Sequence, residues 1–476
     1  MVPAPQAPNP APAPSSVGPS SVAPSSPDVS SSAGMPAPSP GRSTPGRREH
    51  ADTVTDRTAR VSIERPASWA TVHAADADLR TTGDGVTVTV RSRPSDNGIA
   101  DETAALVARL PGSVDGVLVV GCDPWGSAGA PARLVEYHRP APPLEAAAAT
   151  DRPAVGESDG TEHGHEPHRP VPALGHRAPD RTGVFVSHLL VTTGRHRIDV
   201  VAERPLAVLD ATDDVVARVL ESVRVVGPAP AAAHPPRVLE DVPVPVRPTL
   251  APFGVPVDAE ALAALQGMAG RRWNPAVLRS PGGRSLIDQG LVGRFGTVPS
   301  LTSAVLAPWE AGVDPVTLEQ QREDGPAARL RWWRGDAAVT VLDGTEEAGF
   351  RIGSVDDATL LALAAGRLGV TPSWTFAFAT PRLPAAVLDR RVEDPTARPD
   401  LPAAVRTADP VLARFWDAPW TVSHLRVPTR PRPVTVVHAA GVGFARIGRA
   451  TAEGTAIRVE ASANVHRLLV RTVLAG

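Results

Sequence analysis

The chain has 476 residues, 53 of them proline and 40 glycine, with a formal net charge of -3. That length predicts roughly two to three domains, that much proline predicts extended linkers and tails between them, and the near-neutral charge lacks the basic footprint of a nucleic-acid binder. All 48 basic residues are arginine, which excludes a Walker A lysine, a Schiff base and a lysine general base, and the single cysteine, Cys122, excludes an intramolecular disulfide and a cysteine-clustered zinc site.

Met1 to Asp56 is Pro, Ala and Ser with few aliphatic residues. It buries too little apolar area to offset the entropy of ordering its backbone, so a disordered tail is expected. Its start lacks the basic n-region and apolar h-region of a signal peptide, and no apolar run in the chain reaches the roughly 18 residues that span a bilayer. The expectation is a soluble, cytoplasmic protein with no membrane span.

Residues 57–226 then read as one α+β unit. "ARVSIERPASW" and "DGVTVTVRS" alternate as half-buried strands do. "IADETAALVARLP" is helical, with Ala104, Leu106, Val107 and Leu110 on one side and Asp101 and Glu102 in the first turn. The strands "VDGVLVVGC", "ARLVEYHR", "GVFVSHLLVTT" and "HRIDVVAER" follow, and "DATDDVVARVLESVRVV" closes the unit as a helix ending in a short extended piece. Residues 141–180 have no periodicity and are expected to be a disordered insertion; 227–256 is a proline-rich linker.

Residues 257–476 begin with the helix "DAEALAALQGMA", a short helix in "GRSLIDQGLVGRFGTV" closing at glycine, and a third in "SLTSAVLAPWEAG" capped by Ser300 or Thr302. The strands "ARLRWWRG", "DAAVTVLDG" and "AGFRIGSV" are separated by turns at Arg334-Gly335 and Asp343-Gly344, and the helix "SVDDATLLALAAGRLG" follows with Ser354 as its N-cap. The end of the chain repeats this order: "PVTVVHAA", "GFARIGRAT", "TAIRVEAS", then the helix "SANVHRLLVRTVLAG". Ser354 stands before Leu360 and Leu361 as Ser462 stands before Leu468 and Leu469. A β-meander followed by a helix is thus written twice, and two such units can bury a face that neither buries alone.

Candidate chemistry is sparse. His163, His165 and His168 in "TEHGHEPHRP" have the spacing of imidazole metal ligands, but the surrounding loop supplies nothing to orient them. No Gly-x-Ser-x-Gly elbow occurs. Cys122 reads as a small buried hydrophobe and Tyr137 as a packing residue with a polar tip. Nine tryptophans against one tyrosine are unusual, and in Arg331-Trp332-Trp333-Arg334 the strand period puts one indole on each face. One indole belongs in the core. If the other faces solvent, tryptophan beside arginine has the composition of an interface hot spot; if helices cover both faces, both are packing residues. These four are the candidate partner-binding residues.

The order of elements over 257–476, from "DQGLVGRFGTV" and "SLTSAVLAPWEAGV" through "RWWRGDAAVTV" and "VDDATLLALAAGRLG" to "VTVVHAAGVGFARIGRA", resembles the EspG family, cytosolic chaperones of type VII (ESX) secretion in actinobacteria. The resemblance implies a quasi-twofold α+β fold that keeps helical export substrates of the PE/PPE or WXG type soluble. The segment from Leu368 to Arg406 departs from the family, being proline-rich where the family has more helix. Residues 60–226, with "IERPASW" and "RVLESVRVV", are similar to PsbP-like domains, which include secretion-associated proteins. The expected function is therefore a non-enzymatic cytosolic adaptor or chaperone needing no cofactor and no metal. The alternative is a metal-dependent or hydrolytic enzyme using the loop of His163, His165 and His168.

Overall fold

Alternation of apolar and polar residues along extended segments sets the architecture. The computed structural model describes residues 53–113, 116–126, 128–139, 183–227, 253–335, 339–373 and 378–475. The expected tail up to residue 52, the 141–180 insertion and most of the linker lie outside the described residues.

The N-terminal half runs β1 (Thr53–Arg57), β2 (Val61–Pro66), β3 (Ala70–Thr71), β4 (Leu79–Gly83), β5 (Val86–Pro94), α1 (Ile99–Ser113), β6 (Leu118–Pro124), β7 (Ala132–Arg139), β8 (Val184–Thr192), β9 (His196–Pro205), α2 (Leu209–Glu221) and β10 (Arg224–Val225). Thr53 to Asp56, expected within the tail, instead form most of β1. Its polar sequence hides a strand that is held by pairing with β2, Thr53 opposite Pro66 and Arg57 opposite Ser62. A seven-stranded antiparallel sheet follows the order β3-β4-β5-β9-β8-β7-β6. On one face Val86, Val88 and Val90 join Ile198 and Val200 beneath Val216, Val219 and Leu220 of α2. On the other, Leu106, Val107 and Leu110 of α1 cover Val119, Val135, Val186 and Leu190. Cys122 is buried in that second cluster as expected, and burial pushes its thiol up to about 11.

The C-terminal half writes one long programme twice. The first copy is β11 (Val255–Val257), α3 (Ala259–Gln266), α4 (Pro281–Asp288), α5 (Ser300–Glu310), β12 (Val316–Arg322), β13 (Gly325–Arg334), β14 (Val339–Thr345), β15 (Gly349–Val355) and α6 (Asp357–Leu368). The second is β16 (Arg382–Leu383), α7 (Ala385–Glu393), α8 (Ala403–Ala408), α9 (Pro410–Asp417), β17 (Trp420–Arg426), β18 (Val434–Ala439), β19 (Gly443–Thr451), β20 (Gly454–Glu460) and α10 (Ser462–Ala475). All these strands form a ten-stranded antiparallel sheet, β11-β15-β14-β13-β12-β17-β18-β19-β20-β16, whose order reads the same from either edge. The two copies meet at β12 and β17, where Leu318 lies opposite Leu425.

Several local expectations change. Each copy of the repeat carries four meander strands and three short helices, and α7 with the start of α8 falls within the proline-rich stretch from Leu368 to Arg406. Asp356, not Ser354, caps α6: its carboxylate accepts from the Thr359 N–H at 2.7 Å, while Ser354 pairs with Thr340 inside β15. Helix α5 starts after Pro299, with no side-chain cap from Ser300 or Thr302. Gly344 is not in a turn but opposite Phe350, where φ is 128° and a Cβ would come within 2.1 Å of the Gly349 carbonyl oxygen. Only glycine fits that approach.

The two sheets sandwich a pair of helices. Leu360, Leu361 and Leu368 of α6 and Leu468, Leu469 and Val473 of α10 share one core with Trp332, Val341, Val436 and Phe444 of the ten-stranded sheet. Leu118, Val120 and Phe185 of the seven-stranded sheet belong to the same cluster. Each leucine removed from water there contributes about 1.5–3 kcal/mol. The opposite face of the ten-stranded sheet is covered by α3 to α5 over the first copy and by α7 to α9 over the second. The fold is α+β throughout, helices layered on antiparallel sheets.

Candidate functional site

The strand period places Trp332 and Trp333 on opposite faces, and helices cover both. Trp332, 2% exposed, packs in the core shared with α6 and α10. Trp333, 5% exposed, packs beneath α5 with its ring centroid 5.5 Å from that of Trp309, edge to face. Neither indole reaches the surface. Arg334 turns inward too: it forms a two-point ion pair with Asp357 at the start of α6, 2.8 and 3.3 Å, and also donates to the Val473 carbonyl in α10. Arg331 is half-buried, and burial followed by the charge of Arg329 lowers its pKa. The four residues tie strand to helices.

His163, His165 and His168 lie outside the described residues. Among the described residues no group of three or more histidine, cysteine or acidic side chains is placed to hold a metal ion.

The side chains brought together from the most distant parts of the chain form a buried ionic cluster between the halves. Arg467 of α10 donates to Glu136 of β7 at 2.6 Å and stands 3.2 Å from Asp213 of α2, which also pairs with Arg204 at 2.8 Å. Ser187 donates to Glu136 at 3.1 Å. Both guanidiniums lie over the Phe185 ring, Arg204 at 5.5 Å and Arg467 at 5.4 Å. Asp123 lies in the same environment: burial first, then the charge of Glu136, push its carboxyl up to about 7. His466, wholly buried and stacked 5.6 Å from Phe185, is held well below its ordinary value by burial and by His138 and Arg467. This cluster locks α10 against the seven-stranded sheet.

A different arrangement offers itself outward. The loops around Trp273 and Phe295 are joined by three hydrogen bonds: the Trp273 indole N–H to the Phe295 carbonyl at 2.8 Å, Asn274 N–H to Gly296 O at 2.9 Å, and Val298 N–H to Arg272 O at 3.1 Å. Gly296 permits this with φ 79°, since a Cβ there would sit 2.7 Å from the Asn274 carbonyl. Trp273 is 60% and Phe295 78% exposed, and Arg271, Arg272 and Arg294 beside them in sequence are exposed as well. The Trp273 indole is thereby tied to the main chain at Phe295, and both rings stand at the surface with cations alongside. Such a surface can bury rings and pair with carboxylates at little cost in ordering. The sequence carries the signal faintly: in "RRWNP" and "GRFGT" the aromatics sit among arginine, glycine and proline, with no place in any apolar stripe.

Comparison with known proteins adds little. No protein-family model matches the chain, and no curated protein does. A crystal structure from Bacteroides thetaiotaomicron is similar over 67% of this chain and 94% of its own, at 6% identity and a TM-score of 0.22. A likeness that weak carries no argument. Among the described residues no helix is long and apolar enough to cross a membrane.

Proposed function

We propose that the protein is a non-enzymatic cytosolic adaptor of type VII secretion, which binds helical export-bound partners of the PE/PPE or WXG type through the surface around Trp273 and Phe295. The single observation that carries this reading is that surface: two large exposed aromatic side chains, Trp273 tied by its indole N–H to the Phe295 carbonyl, accompanied by arginines. Tryptophan and arginine dominate interface hot spots because each combines a large buried area with a directional polar group. An amphipathic helix with an apolar stripe and flanking acidic residues is the complementary partner. The duplicated meander-helix architecture with a sheet order that reads alike from both edges supports the chaperone resemblance, which implies a quasi-twofold fold.

The test is a titration of the full chain with purified helical substrates of those classes from the same genome. Trp273→Ala combined with Phe295→Ala is expected to weaken binding at least about tenfold while leaving the fold intact. Unchanged affinity in the double variant overturns the assignment of the surface, and failure of every such substrate to bind overturns the adaptor reading.

A further inference from the structure

Helix α1 covers only part of its face of the seven-stranded sheet. Beyond it, strands β4, β5, β9, β8 and β7 line a cleft of about 590 Å³. Register brings distant residues to this one face. Arg80 lies opposite Thr89, Thr89 opposite Val201, Val201 opposite His188, and Tyr137 and Arg139 follow on β7. Three guanidiniums, Arg80, Arg91 and Arg139, line the cleft together with the Tyr137 ring and His188.

The charges here do not cancel. Arg80 and Arg91 share one carboxylate, Asp76, at 3.1 and 2.5 Å, and Arg139 pairs with Glu203 at 3.0 Å. Three cations against two anions leave one positive charge over. Deeper groups balance among themselves, two cations against two anions: Arg197 pairs with both Glu102 and Asp199 at 2.6 Å, Arg93 stands 3.9 Å from each of the same acids, and His188 Nε2 lies 2.7 Å from Asp199 Oδ1, which fixes the imidazole. Neither the acids nor the hydroxyls use up the arginine donors. Arg91 spends Nε and Nη2 on Asp76, Arg80 spends Nη2 on Asp76 and Nε on Thr89, and Arg139 spends Nη2 on Glu203. Among the described residues the Nη1 group of each has no protein acceptor. His188 Nδ1 is likewise without a partner, on a side chain only 8% exposed.

We propose that this cleft binds a phosphomonoester, its phosphoryl oxygens taken by Arg80, Arg91 and Arg139 and its organic part lying over Tyr137 and His188. Three guanidiniums, each with its Nη1 group unspent, match the three terminal oxygens of a phosphoryl group, where a carboxylate presents two. The volume falls within the range of roughly 300–1,000 Å³ typical of small-molecule sites and exceeds what inorganic phosphate alone would fill. The site is on the far side of the N-terminal half from the core shared with α10, so it stands or falls independently of the adaptor surface.

The experiment is calorimetric titration of the full chain with phenyl phosphate, with benzoate as the two-oxygen control and vesicles of phosphatidylcholine doped with phosphatidic acid as a second phosphomonoester source. Phenyl phosphate is expected to bind more tightly than benzoate, and Arg91→Ala and Arg139→Ala each to weaken it at least about tenfold. Arg91→Lys, which keeps the charge but loses the fork, is expected to weaken it as well. Those arginine side chains are 44% and 39% exposed, so the variants are expected to fold, which circular dichroism checks. Binding by the vesicles alone assigns a lipid headgroup; binding by phenyl phosphate assigns a soluble ester. Failure of both, benzoate binding as tightly as phenyl phosphate, or full affinity in the arginine variants overturns the site.

Discussion

Arg467 Nη2 lies 2.6 Å from Glu136 Oε1, joining the last helix to a strand 331 positions earlier. The side chains are 14% and 4% exposed, so the pair is largely cut off from solvent screening. Removing Arg467 leaves the Glu136 charge buried without its cation, at a cost of about 3–5 kcal/mol, and removing Glu136 leaves buried Arg467 with only Asp213, at 3.2 Å. Glu136→Ala and Arg467→Ala are each expected to lower stability by that order in urea unfolding. Glu136→Leu combined with Arg467→Met is expected to recover most of the loss, because apolar isosteres remove the desolvation cost along with the attraction. Single variants within about 1 kcal/mol of the parent would mean that the junction is not closed in solution.

Two groups at the same junction oppose each other in pH dependence. The folded pKa of Asp123, about 7, lies above its unfolded value of 3.8. The native state therefore holds a proton that the unfolded chain has lost, and stability declines as pH rises through that window. His466 is lowered well below 6.5. Below 6.5 the unfolded chain takes up a proton that the native state refuses, so this group makes stability decline as pH falls. Each slope is about 1.4 kcal/mol per pH unit, and where the two windows overlap below pH 6.5 they offset. Asp123→Asn is expected to leave a stability that rises with pH across that range, and His466→Phe one that falls. Urea midpoints at about pH 4.5 and 6.5 separate the two; parallel profiles for both variants would refute the pairing.

How much of this was legible in the sequence depends on where each residue finds its partner. Leu360 and Leu361, and Leu468 and Leu469, were marked by equal spacing from Ser354 and Ser462, and all four meet in one core. Strand β12 has no expectation in the sequence, because its second half, Glu319 to Arg322, is wholly polar. Gln320 is 2% exposed, yet its amide donates to the Arg367 carbonyl at 2.7 Å and to Ser423 at 3.0 Å, partners that no local pattern reveals. Helices α7 to α9 are obscured in the sequence by the prolines around them. Pro384 and Pro402 stand immediately before helices and Pro410 begins one, positions where the missing N–H costs nothing. The arginines of the cleft come from separate strands, and only sheet register assembles them.

The two pairs of aromatics give opposite expectations. Trp332 and Trp333 are core residues, so Trp332→Ala and Trp333→Ala are each expected to cost about 3–5 kcal/mol through the cavity left behind. Trp273→Ala and Phe295→Ala, on the surface, are expected to stay within about 1 kcal/mol of the parent. Thermal unfolding distinguishes the cases. A tolerated Trp332→Ala would contradict its place between the sheet and the helix pair.

Arg391 tests whether arginine matters here beyond its charge. It is 1% exposed and lies over two indoles that meet edge to face, 4.1 Å from the Trp420 ring centroid and 4.9 Å from that of Trp416. Its guanidinium donates to the Trp416 carbonyl, donates to the Ala418 carbonyl at 3.1 Å, and stands 3.7 Å from Glu323. Burial lowers its pKa to about 10, with Glu323 acting in the opposite sense. A planar, delocalised cation can lie against both rings and feed two carbonyls at once, whereas an ammonium is compact and strongly hydrated. Arg391→Lys therefore keeps the charge but leaves at least one carbonyl without its donor and one indole without its stack. The expected loss is about 1–3 kcal/mol from the unsatisfied acceptor, and the fluorescence of Trp416 and Trp420 is expected to change with it. A lysine variant as stable as the parent would show that charge alone suffices at this position.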